Sequence, residues 1–76
     1  MKQLTKEQKN EIVMAYRQEL ERIRLHRKMF AQNLEMAMIL GDDKRASEVS
    51  KLLRELDQME AELKDTLFEI HATPVV

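Results

Sequence analysis

Apolar residues recur along this chain with alternating spacings of three and four. Val13, Tyr16, Leu20, Ile23, Phe30, Leu34 and Ala37 keep that rhythm through the first half, with Arg27 filling one position. Val49, Leu52, Leu56, Met59, Leu63 and Ile70 keep it through the second half, with Thr66 filling one position. Such a repeat puts the residues on one stripe of a helix, the seam of a coiled coil. Between Lys6 and Leu40 there is no Gly or Pro to interrupt a helix. Thr5 followed by Gln8 has the spacing of a capping box, so the first helix is expected to begin there. The residue that would complete a hydrophobic staple is Lys9, so fraying is expected at that end.

Gly41-Asp42-Asp43 is the strong punctuation in the middle of the chain, and Thr73-Pro74 is the punctuation near its end. Gly41 can take the left-handed conformation that commonly closes a helix. Asp42 or Asp43 can then cap the next one, where a carboxylate meets free N–H groups and the positive end of the dipole. Folding the chain at Gly41 brings the two seams together antiparallel, with Ala37 opposite Val49, Leu34 opposite Leu52, Phe30 opposite Leu56, Ile23 opposite Leu63 and Tyr16 opposite Ile70. The expected fold is all-α, an antiparallel two-helix hairpin forming one domain. Helix one is expected over about 5–40, the turn at 41–43, helix two over about 43–71, and an apolar tail over 72–76.

A lone hairpin leaves apolar residues without cover. Leu53 and Leu67 widen the stripe of helix two, while Leu25, Met29, Met36 and Leu40 lie on another side of helix one. Residues 36–40 are apolar all round, which signals burial on more than one side. The hairpin is therefore expected to pair with a second copy as a four-helix bundle, or to be covered by another protein. Leu25, Met29, Met36, Met38, Ile39, Leu40, Leu53 and Leu67 are the candidate interface residues. The methionines among them supply an adaptable surface.

Composition narrows the chemistry. The chain has 76 residues, 36% of them charged, with a formal net charge of -1 and no Cys. That excludes a disulfide framework, a thiolate metal site and a cysteine nucleophile. No Glu-x-x-His pair, Gly-rich phosphate loop or nucleophile–base pair is present, so a non-enzymatic protein without cofactor or metal is expected. No uncharged stretch exceeds seven residues and the N-terminus lacks an apolar core, so the expectation is a cytoplasmic protein with no membrane segment.

Charge is unevenly spread. Residues 1–30 carry eight basic and four acidic groups, and residues 31–76 carry five and ten. Lys6, Arg17, Arg24 and Lys28 fall on one flank of helix one, where they could meet phosphates. Glu48, Glu55, Glu62 and Glu69 repeat every seven residues on a flank of helix two, as a solvated face or as ion-pair partners. Arg27 is expected to pack its stem in the seam and reach Glu60. His26 could pair with Glu62, and His71 falls in the last turn of helix two.

The stretch Leu34-x-x-Ala37, Gly41-Asp42, Ala46-x-x-Val49-x-x-x-Leu53-x-x-Leu56 resembles the helical-hairpin segment shared by the UvrB and UvrC repair proteins. The likeness spans less than a third of the chain and implies hairpin-to-hairpin pairing between proteins. A short hairpin that doubles into a bundle is also similar in plan to the plasmid-encoded, RNA-binding Rop type. Three functions are therefore open: an adaptor, inhibitor or regulator working through an apolar helix surface, a nucleic-acid binder, and a structural scaffold.

Overall fold

A computed structural model describes residues 3–75; Val76, the end of the apolar tail, lies outside the described residues. Helix α1 spans Lys6–Ile39 and helix α2 spans Asp43–Ala72. The two pack against each other as a hairpin. At about 1.5 Å per residue the helices are each nearly as long as the whole molecule, whose Cα extents are 57 × 18 × 11 Å. The result is a two-helix ribbon. Among the described residues no helix is long and apolar enough to cross a membrane.

The expected caps form. Thr5 has extended backbone and accepts from the Gln8 N–H at 3.1 Å, while the Gln8 side chain accepts from the Thr5 N–H at 3.1 Å. Asp42 is the residue that caps α2, its carboxylate accepting from the Arg45 N–H at 3.1 Å. Between the helices, Gly41 has φ of 70°. The Asp42 N–H donates to the Ala37 carbonyl at 2.8 Å and the Gly41 N–H donates to the Met38 carbonyl at 3.2 Å. This pair of bonds is the Schellman closure, and it satisfies carbonyls that the end of α1 would otherwise leave free.

The open end is held more firmly than the missing staple suggests. Lys9 is turned to a different use: its ammonium donates to the carbonyls of His71 at 2.8 Å and Thr73 at 3.1 Å. A cation there meets the negative end of the α2 dipole as well as two free carbonyls. Thr73 closes α2 with its N–H on the Ile70 carbonyl at 3.1 Å and its hydroxyl on the Glu69 carbonyl at 2.8 Å. Leu4 then bridges to Val75, so the segment before α1 and the segment after α2 meet in the same corner.

The seam of α1 is the expected one, with Leu20, Ile23 and Ala37 buried and Tyr16, Arg27, Phe30 and Leu34 half-buried. The seam of α2 differs. Its inward residues are Val49, Leu53, Leu56, Glu60, Leu63, Leu67 and Ile70, all buried or half-buried. Leu52 and Met59, expected inside, are 40% and 45% exposed. The stripe is rotated by about one residue on alternate turns because Glu60 is drawn inward to Arg27, which carries Leu53 and Leu67 in with it.

Gly41 has nothing within 4 Å of where a Cβ would stand, so only its backbone conformation resists substitution. Gly41→Ala is expected to lower stability by about 1 kcal/mol, the approximate cost of a left-handed conformation for an L residue. Gly41→Asn is expected to lose less. Urea unfolding followed by circular dichroism at one fixed protein concentration measures both.

Candidate interaction surface

Among the described residues five apolar side chains are buried: Leu20, Ile23, Ala37, Val49 and Leu56. The shape explains why. Each helix has one neighbour, so it can hide one stripe and no more. The radius of gyration is 17.2 Å, against about 11 Å for a globular chain of this length. The accessible surface is 6240 Å², against about 4,900 Å² expected for a compact protein of this mass. Roughly 1,300 Å² therefore lies exposed beyond the norm.

Much of that surface is apolar. Leu25, Met29, Met36, Met38, Ile39 and Leu40 are all more than half exposed, with Leu40 at 73%. At 100° per residue, Leu25 points away from α2, Met36 and Met29 stand between that back and one broad side of the hairpin, and Leu40 stands on that broad side. Ile39 stands beside them, whereas Met38 stands on the flank of α1 where Ala31, Leu34 and Glu35 form a shallow groove with Met38 and Ile39. The eight nominated residues thus do not form one surface. Leu53 and Leu67 belong to the hairpin's own interior, for the reason given by Glu60, and Leu52 and Met59 take their place on the outside. Met14 and Phe68 are further exposed apolar residues, at 63% and 75%.

The polar interior of the seam is a four-residue cluster. Arg27 bonds the buried Glu60 through one guanidinium nitrogen and places its Nε 3.1 Å from Asp57 Oδ1. The other Glu60 oxygen lies 2.9 Å from Lys64 Nζ. The Glu60 side chain is about one-tenth exposed and that of Arg27 about one-third, so the pair is shielded on the acid's side and wet on the base's side. Two cations around one buried carboxylate keep its charge compensated. The cluster is closed on itself and serves the hairpin.

Of the basic residues proposed for phosphate contact, Arg17 and Arg24 share a groove with Lys64, over Leu20 and Leu67, with Glu21 also lining it. Lys6 and Lys28 are exposed and outside that groove. No aromatic side chain lines it, so bases would find no stacking platform there. His26 leans on the Phe30 ring, centroids 6.4 Å apart, and forms no ion pair with Glu62 among the described residues. Glu62 instead accepts from the Gln58 amide at 3.4 Å. Among the described residues no three His, Asp or Glu side chains converge as metal ligands.

Compared with family models, curated proteins and solved structures, the chain shows no significant match to any of them.

The Arg27–Glu60 pair makes a sharp prediction. Arg27→Met alone leaves a shielded carboxylate with only Lys64, and is expected to cost about 1–3 kcal/mol. Arg27→Met with Glu60→Leu replaces charge by apolar packing and is expected to recover most of that loss. A double-mutant cycle in urea gives the coupling; a double variant as unstable as the sum of the singles would contradict it.

Proposed function

We propose that this protein is a small non-enzymatic interaction module that self-associates, most simply as a dimer forming a four-helix bundle, and acts as an adaptor, inhibitor or regulator by presenting a helical surface. The observation that carries this reading is the mismatch between exposed and expected surface. A typical stable interface removes about 800 Å² from each partner, and obligate ones more. The excess here is of that size, and its apolar part is concentrated on α1 between Leu25 and Leu40.

The energetics point the same way. Burying apolar surface is worth about 25 cal/mol per Å², so an uncovered patch of several hundred Å² is a strong drive towards association. Two helices joined by one seam, with five buried apolar side chains among the described residues, form a thin core. Pairing would supply the second buried stripe each helix lacks.

Sedimentation equilibrium at micromolar concentration is expected to give a multiple of the 9.0 kDa monomer mass. Met36→Glu with Leu40→Glu is expected to shift that mass to the monomer while circular dichroism still shows helix. Retained association after both changes would remove this surface from the reading. A pull-down from the source cell then separates an adaptor, which returns a stoichiometric foreign protein, from a scaffold, which returns itself.

A further inference from the structure

We propose that the second copy docks through one broad side of the ribbon, in a two-fold arrangement that places both turns at the same end and lays α1 of each chain on α2 of its partner. The proposal rests on the self-association reading and adds which side is used and in which orientation.

The ribbon has two broad sides, and the ion pairs identify them. Arg27, Asp57, Glu60 and Lys64 meet across the seam, and Arg17 and Arg24 join Lys64 in the adjacent groove. They must all lie towards one side, which is therefore the charged one. The helical rotation of 100° per residue then sends Phe30, Asn33, Met29 and Leu40 of α1 towards the other side, together with Leu52 and Met59 of α2. Met36 lies at its edge. Phe30 is half-buried, and Met29, Met36, Leu40, Leu52 and Met59 are 40% exposed or more. These six apolar residues all fall in the half of the ribbon next to Gly41. In the other half the same side presents Glu19, Glu62, Thr66 and Glu69. Area and position together specify the occupant: the surplus surface matches the amount a dimer removes per chain, and an isologous contact needs a patch that can face its own copy.

Two two-fold arrangements bring this side against itself. With the axis across the ribbon, α2 lies on the partner's α2 and the turns point in opposite directions. The row Glu48, Glu55 and Glu62 then faces its own copy, and none of these three is in an ion pair within the hairpin among the described residues. Full overlap would also set the apolar half of each chain on the polar half of the other. With the axis along the ribbon, apolar half meets apolar half over the whole length. Helix α1, with seven Lys or Arg and five Glu, then lies on α2, with five Lys or Arg and eight Asp or Glu. Every adjacent helix pair in the resulting bundle is antiparallel and opposite in net charge, which favours this packing through dipoles and side chains alike.

The chain has no Cys, so single cysteines can be introduced for spin labels without background. Lys44→Cys marks the turn end and Asn10→Cys marks the open end, both at exposed positions. Double electron–electron resonance on each labelled dimer is expected to give a distance below about 35 Å at both positions, the span of a bundle with helices 8–10 Å apart plus the label arms. Both distances near 45 Å or more, from helices of about 1.5 Å rise per residue lying end over end, would overturn the orientation. So would a short Lys44 distance with a long Asn10 distance, which is the signature of opposed chains overlapping only at their turns. A monomer mass throughout would overturn both the orientation and the self-association reading, whereas a dimer with the wrong distances would overturn the orientation alone.

Discussion

Two helices lying side by side share one line of contact, and that geometry governs everything else in this molecule. A helix in a globular domain is commonly surrounded on two or three sides. Here each has a single neighbour along a ribbon that is 57 Å long and 11 Å thick. No choice of side chains can change the fraction of surface such a shape hides. What the sequence can choose is what to put on the exposed part, and on α1 it puts Leu25, Met29, Met36, Ile39 and Leu40 there. In a free-standing hairpin, charge at these sites would cost the fold nothing and improve solubility. Their apolar character is intelligible if the hairpin is one half of a larger packing unit.

The seam itself is only partly apolar. At its middle stands an arginine, a glutamate with almost no exposure, and a lysine one turn further on. Such a cluster adds little net stability compared with apolar packing, because desolvation takes back much of the attraction. Its effect is on register. Sliding α2 by one turn would separate Arg27 from Glu60 and leave a buried carboxylate facing apolar side chains, whereas leucines and valines tolerate a slide far better. The Schellman closure at Gly41 fixes where the chain reverses, and Lys9 fixes where α2 ends. The polar seam fixes the alignment between those two points.

The fold was largely legible in the residue pattern. Both caps, the turn glycine and the seam of α1 follow from spacing alone, because each depends on local chemistry or on a stripe with few competitors. The seam of α2 was harder to read. Apolar residues at 52 and 59 and at 53 and 67 both satisfy a seven-residue repeat with Val49, Leu56, Leu63 and Ile70, and hydrophobicity favours the set that avoids Glu60. The deciding fact is on the other helix. Arg27 in the seam of α1 demands an acid opposite, which selects the set containing Glu60. Arg27 reaches Glu60 as its sequence position suggests, but Glu60 stands in the seam itself and Met59 does not. For the same reason Leu53 and Leu67 face the hairpin's interior while Leu52 and Met59 face outward. The corner formed by Lys9, His71, Thr73 and the Leu4–Val75 bridge left no periodic signal, since its acceptors are backbone carbonyls.

The two kinds of surface divide the labour between specificity and adaptability. Inside the hairpin, charges at fixed positions permit one alignment. Outside, the exposed stripe contains Met29 and Met36, with Met59 of α2 on the same side of the ribbon, and methionine side chains adjust their shape at little cost. A surface of that kind associates readily but discriminates weakly by shape. Discrimination then has to come from charge around the stripe, and the glutamates at 48, 55 and 62, in no ion pair among the described residues, are placed to supply it. A partner helix that carried acids at the facing positions would be repelled, and one that carried bases would be held. The orientation of any bound helix, including one from a second copy, would thus be set by electrostatics at the rim, while the affinity would come from the apolar stripe between.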